Sequence, residues 1–313
     1  MKVSEVKTRM RGPLAPVLTV YKDGDLSLDL DAIQENVDQQ IKRGMSKGQG
    51  VLLAAGAGGD FPLLSREERK TVIKAVAEAA GDRATILGCV QSTLDAEAVE
   101  LAEWSQKVGC YGIQLSPTWY FPPNDRQIYE LYKAVSESID ICIMVYHTPW
   151  LDSHMSVDLL SKLWADFSNI RAIKWATFNE RETMNGYIAL ADKYAIINNG
   201  PGTPQAALLG GSGFVTHLAN VWPEHEVALW EKFASGDFAG GTADFVAVDW
   251  PWQTLRGWAS STIGGGESLL VKPAAELGGF HGGPSRPPMV NLDAAQRAHV
   301  REVLEQIGAL LVS

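Results

Sequence analysis

Eight short apolar runs, each followed by a segment with helical spacing, fill the first 235 residues of this 313-residue chain. The runs cover 12–21, 48–55, 84–90, 110–116, 140–146, 170–175, 194–200 and 213–221. Runs of this length bounded by turn-forming residues read as core strands. The intervening segments read as helices. In 26–45, Leu28, Leu30, Ile33, Val37 and Ile41 recur at helical spacing, and 65–80 opens with a Ser65–Glu68 capping box. Strands separated by crossover helices pair in parallel. Eight such units in roughly 230 residues predict an α/β architecture, a closed (β/α)8 TIM barrel. The alternative is an open doubly wound sheet. The glycine-rich 56–61, GAGGDF, does follow a strand, but it falls short of GxGxxG, and no acidic residue clearly ends the next strand.

After residue 222 the alternation stops, and 224–234, 244–260, 267–277 and 292–311 all read as helices. The expected division is a barrel catalytic domain over 1–235 and a C-terminal helical extension, 236–313, packed on it. The balance of charges narrows the functional classes. A net charge of −10 speaks against nucleic acid and against an anionic membrane surface, both of which call for clustered Lys and Arg. There is no run of 18 or more apolar residues, and the N-terminal MKVSEVKTRMRG has no apolar stretch after its basic residues. Cys89, Cys110 and Cys142 are odd in number, widely spaced and set in or beside apolar runs. They read as reduced packing residues of a cytoplasmic protein, with no disulfide framework and no zinc site.

Chemistry in such a barrel sits at the C-terminal ends of the strands. Those ends offer Ala57, Gly58, Gly59 and Asp60 after the second strand, Thr118, Trp119 and Tyr120 after the fourth, and Tyr146 and His147 after the fifth. Lys174 closes the sixth, Asn199 the seventh, and His217 and Asn220 follow the eighth. A lysine in a buried strand must be paired or lose its proton, and a desolvated neutral amine attacks ketones to form Schiff bases. Tyr146 stands at matching depth on the neighbouring strand, so the pair offers a nucleophile and a proton carrier. The glycine-rich loop offers backbone N–H groups to a carboxylate. Asn199 is placed to meet a substrate hydroxyl. His217 reads either as a pocket residue or as a satisfied core histidine, and His147 as a second acid–base group or a donor to a loop carbonyl. No metal-ligand set is recognisable around His147 and His154, and GGSGF around Ser212 does not fit GxSxG.

These segments carry a family resemblance. VYHTPW and AIKWAT resemble the YNxP and IKxxS/T signatures of the N-acetylneuraminate lyase and dihydrodipicolinate synthase family. GAGGDFPLLSREER is similar to its GTTGExxxLSxEER loop, GSGFVTHLANVWP to its strand-eight segment, and GGPSRPPMVNL to its closing RPPL segment. The resemblance spans essentially the whole chain. It implies a Schiff-base lyase on a barrel with a C-terminal helical extension, commonly a tetramer, that needs no cofactor beyond a covalent imine. Lys174 would form that imine and Tyr146 would transfer protons. Gly58 and Gly59 would hold the carboxylate of a pyruvate-like 2-oxo acid.

The departures from the pattern are as informative. Ala57 and Gly58 stand where the family has loop threonines, the first of which relays protons. Asp60 replaces the loop glutamate, and Trp119, next to Tyr120, replaces the tyrosine of the synthase branch. HTPWLDS has no arginine to hold a second carboxylate, which argues against dihydrodipicolinate synthase itself. Aromatic residues crowd these loops, from Trp119, Tyr120 and Phe121 to Trp150, Trp175 and Phe178. They suggest a substrate whose second part is bulky or aromatic. A packing role at the barrel rim or at a subunit interface is the alternative for some of these rings. Two other readings stand beside the lyase: a catalytically impaired relative that binds a small 2-oxo acid as a sensor or scaffold, and a metal-dependent barrel hydrolase. As partners, a homo-oligomer (tetramer or dimer) is expected, with no nucleic acid and no membrane.

Overall fold

Eight parallel strands close on themselves in sequence order in this computed structural model, which describes residues 1–151, 153–264 and 266–312. They are β1 (Gly12–Pro16), β2 (Val51–Ala54), β3 (Thr85–Cys89), β4 (Gly112–Leu115), β5 (Cys142–Tyr146), β6 (Ile170–Trp175), β7 (Ala195–Asn198) and β8 (Gly213–Val215). Closure comes from Gly12 and Leu14 of β1 facing Gly213 and Val215 of β8. The expected strands are all present, most of them shorter at one or both ends, and 170–175 keeps its full expected length. The eighth shortens most, because the chain turns at Thr216 into a short 3-10 segment, Leu218–Asn220.

Both faces of the strands are buried, as a parallel sheet covered by helices requires. Side chains alternate between the barrel interior and the helical layer. Leu14, Leu53, Leu87, Cys142, Met144, Ala172, Ala195 and Ile197 pack together as the interior. Ile143, Val145, Ile173, Trp175 and Ile196 pack instead among the surrounding helices. That alternation fixes what lies at the barrel mouth. Residue 174 follows Ala172, 146 follows Met144 and 199 follows Ile197, so Lys174, Tyr146 and Asn199 continue the inward-facing rows.

The stretch before β1, where no element was expected, is a helix, Val3–Arg9. Its Val6 and the following Met10 are fully buried among the interior residues at the opposite end from the mouth. The Thr85 hydroxyl donates to the Arg9 carbonyl and Lys7 donates to the Ala191 carbonyl, tying this plug to the starts of β3 and β7. Beyond β8 the helices Pro223–Ala234, Phe238–Asp244, Trp250–Thr262, Glu267–Leu277 and Ala294–Gln306 follow. The expected single helix over 244–260 is interrupted by a π-helical turn, Phe245–Asp249. The later helices share one apolar core with the barrel, in which Leu18, Leu218 and Val221 meet Trp252, Leu270, Val271 and Leu304. The helix Glu267–Leu277 packs on the glycine-rich turn after β2. No helix among the described residues is long and apolar enough to cross a membrane.

The π turn brings Asp249 beside the start of the helix Pro223–Ala234. There His225 Nε2 donates to Asp249 Oδ2 at 3.0 Å, and Glu226 is fully buried with neither carboxylate oxygen hydrogen-bonded among the described residues. Burial, with the Asp249 charge added, pushes the Glu226 carboxyl well above the ordinary range. A carboxyl raised on folding gives stability that is full below its unfolded value and is lost as pH rises through its folded value. Glu226→Gln is therefore expected to flatten the fall of the melting temperature as pH rises above the ordinary carboxyl range, and parallel pH profiles for parent and variant would refute it.

Candidate active site

Tyr146 and Lys174 are direct register partners across β5 and β6. The Lys174 Nζ lies 4.1 Å from the centroid of the Tyr146 ring, and no hydrogen bond or ion pair engages it among the described residues. The lysine is 5% exposed. Burial lowers its pKa to about 8, while Glu267 and Cys89 pull upward and Arg256 adds to the fall. A large share of this amine is thus neutral near pH 8 and free to attack a carbonyl. Burial also raises the Tyr146 phenol well above its usual value. Glu267 adds to that rise, and Asn199 beside the phenol opposes it. The phenol therefore stays protonated and can act as an acid.

Tyr146 lines a cavity of about 550 Å³ together with Ala57, Trp150, Asn199, Arg256 and Glu267. The loop after β2 forms one wall. It makes a 3-10 turn, Ala57–Gly59, bracketed by two non-glycine residues in the left-handed region, Ala55 and Asp60. Such conformations cost energy and are kept where the surroundings hold them. The N–H groups of Gly59, Asp60 and Phe61 bond within the loop, whereas those of Ala57 and Gly58 begin the turn and have no backbone partner among the described residues. A side chain at Gly59 would collide with the Val17 carbonyl, since its Cβ would fall 2.5 Å from that oxygen. The Thr19 hydroxyl donates to the Gly59 carbonyl at 2.6 Å and steadies the turn.

Asp60 is buried and forms an ion pair with Lys272, Oδ2 to Nζ 3.1 Å, which pins the loop to the helix Glu267–Leu277. The two side chains are only 5% and 2% exposed. Breaking such a pair strands one charge, so Lys272→Met is expected to cost about 3–5 kcal/mol. Chemical denaturation reads it as a lower midpoint at unchanged slope, and an unmoved midpoint would refute it.

The remaining sequence-derived residues divide. His217 is buried and does not line the cavity; its Nε2 donates at 2.9 Å to Glu267, which does. His147 takes the second of its two expected roles. Its Nδ1–H donates to the Ala176 carbonyl at 2.7 Å, its ring stacks on Trp175, and burial lowers its pKa to about 4. Trp119 is half-buried against the helical layer, and Tyr120 is 91% exposed and packs edge-on with Phe121; neither lines the cavity. Of the loop aromatics, Trp150 is the one that lines it, edge to face with Tyr146 at 5.9 Å. Arg256 and Glu267, from the helical tail, were not anticipated from the sequence. One group of three possible metal ligands occurs among the described residues, His225, Glu226 and Asp249, and it is not part of this cavity.

A family model described as the dihydrodipicolinate synthetase family matches residues 9–307. An "uncharacterized DapA-like lyase" of Thermococcus onnurineus is 26% identical, with 95% of this chain and 99% of that protein covered. A 4-hydroxy-tetrahydrodipicolinate synthase of Archaeoglobus fulgidus is 27% identical over 95% of this chain and 98% of its own. The crystal structure of dihydrodipicolinate synthase from Aquifex aeolicus superposes with a TM-score of 0.86 at 23% identity, covering 97% of this chain and 100% of that one, a likeness of fold.

Proposed function

The chain belongs to the dihydrodipicolinate synthetase family, and from that premise we propose that it is a lyase forming a Schiff base between Lys174 and pyruvate or a pyruvyl 2-oxo acid. The observation that carries this reading is the Lys174–Tyr146 pair, a desolvated amine 4.1 Å from the centre of a phenol ring on the adjacent strand. Lys174 attacks the ketone carbon, and Tyr146 protonates the departing hydroxyl as the carbinolamine loses water. The protonated imine then withdraws electrons as a C–C bond to C3 forms or breaks, or as a hydroxyl leaves. The unpartnered N–H groups of Ala57 and Gly58 suit the substrate carboxylate. No metal enters these steps.

The cavity supports a bulky second part for the substrate, with Trp150 as its aromatic side and Asn199, Gln253, Arg256 and Ser260 as polar sides. We take the substrate to differ from that of dihydrodipicolinate synthase. Arg256 is the arginine among the residues lining the cavity, and it already donates to Glu267 at 3.0 Å instead of standing apart for a second carboxylate. Self-association into a dimer or tetramer belongs to the same reading, and light scattering measures it. The absence of hydroxyl side chains at Ala57 and Gly58 favours one alternative, a binder of a small 2-oxo acid without turnover. Borohydride reduction in the presence of pyruvate, followed by intact mass, tests the imine. A reduced adduct is expected, and failure with pyruvate and with longer and aryl 2-oxo acids alike would overturn the reading. An adduct without product from any of these acids would favour the binder.

A further inference from the structure

The cavity carries a carboxylate that the barrel does not supply. Glu267 opens the helix Glu267–Leu277 and lines the cavity beside Tyr146. One of its oxygens accepts from His217 Nε2 at 2.9 Å and the other from Arg256 at 3.0 Å, while its side chain stays 40% exposed. Burial would push this acid up, but His217, Arg256 and Lys174 outweigh it and hold the carboxyl well below the usual range. It is therefore an anion throughout the range in which Lys174 titrates.

His217 cannot take this place at the substrate. Its ring is 2% exposed, its Nδ1 is buried without a partner among the described residues, and its Nε2 is committed to Glu267. It is built in tightly. A Cβ at Gly58 would fall 2.9 Å from Nε2, so the missing side chain at 58 is what leaves room for the ring. Loop, histidine and tail helix thus fit together to hold one carboxylate at the mouth.

We propose that Glu267 is a catalytic residue of this site, with His217 and Arg256 as its positioning residues. It is the fixed counter-charge to the protonated imine on Lys174, and it accepts a hydrogen bond from a hydroxyl on the substrate beyond the pyruvyl unit. Glu267 takes no proton in the cycle and acts by charge and orientation. The proposal rests on the Schiff-base reading above.

The Tyr146 ring from β5 lies against Lys174, and the ionisable groups whose charge acts on it are Cys89 from β3, His217 from after β8, and Arg256 and Glu267 from the tail. Removing the Glu267 charge leaves the cations unbalanced. The acid limb of the pH profile for pyruvate trapping should then move to lower pH in Glu267→Gln. Arg256→Gln should move it to higher pH, and Glu267→Asp should leave it near the parent position. Opposite shifts from two neighbouring variants are not what general damage to the fold produces. With 4-hydroxy-2-oxopentanoate and 2-oxopentanoate competing, Glu267→Gln should lose the parent's preference for the hydroxylated acid by roughly 10- to 100-fold, the range of a hydrogen bond to a charged group. A parent that traps 2-oxo acids, with variants that shift neither the limb nor the preference, would overturn the role of Glu267 and leave the Schiff base standing. A parent that traps none would overturn both. If Glu267→Gln does not fold, Glu267→Ser decides: a downward shift supports the counter-charge, and no shift or an upward one refutes it.

Discussion

Lys174→Met is expected to lose all borohydride-trappable adduct and to cut turnover by on the order of 10⁴-fold or more, the scale on which removal of a covalent nucleophile is felt. The same variant is expected to be more stable than the parent. Folding lowers the lysine from its ordinary value to about 8, mainly by burial. The native state therefore binds fewer protons than the unfolded state in between, and stability rises with pH across that interval. Below about pH 8 the full penalty of burying the ammonium applies, and methionine, of similar length and apolar, removes it. The gain is about 3 kcal/mol at pH 7 and vanishes at strongly alkaline pH. Denaturant melts of both proteins across the pH range measure it. Lost activity together with gained stability is the signature of a residue kept for chemistry. A variant destabilised at neutral pH would show instead that Lys174 holds the barrel mouth together, and the nucleophile would have to be sought elsewhere. In the parent, the rate of adduct formation should rise with pH through about 8 as the ammonium gives up its proton.

The reason the sequence pointed to this lysine is the period of a strand. Once 140–146 and 170–175 are read as strands, Tyr146 and Lys174 follow from alternation, because Met144 and Ala172, two residues back, are interior. Asn199 after Ile197 is legible in the same way. Periodicity ends where the strands end. Trp119 and Tyr120 were placed at the site by position after β4, but the loop runs outward there and leaves Tyr120 at 91% exposure. The tail is illegible for a different reason. Glu267 reads as an ordinary acid in a first helical turn and Arg256 as a charge on a helix face. Nothing local indicates that the two helices fold back over the mouth. The missing side chains at Ala57 and Gly58 were visible as losses. The ring of His217, 2.9 Å from where a Gly58 Cβ would be, shows that the space at 58 is filled from the segment after β8. The N-terminal helix was missed because its apolar contribution is small, with Val6 as its one buried residue and Met10 just beyond it.

Tyr146→Phe separates the proton transfer from the packing. Phenylalanine keeps the ring beneath the Lys174 Nζ and the edge contact with Trp150, so the cavity should retain its shape. What it removes is a phenol that burial keeps protonated, next to Asn199. Carbinolamine dehydration would lose its acid, and the later step would lose the group that carries the proton to or from the substrate oxygen. Turnover is expected to fall by roughly 10²- to 10⁴-fold, the usual contribution of a positioned acid or base, with KM little changed. Trapping with pyruvate should be slower but reach the same final adduct, since water can supply a proton to a step that only needs time. That combination distinguishes Tyr146 from Lys174, whose loss removes the adduct itself. If kcat falls by less than about tenfold, below the range for general acid–base catalysis, the proton travels by another route and the phenol is only a platform for the amine. If the adduct fails to form at all, Tyr146 is required for attack. The acid limb of the trapping profile then decides between a lost proton carrier, which leaves the limb in place, and an altered Lys174, which moves it.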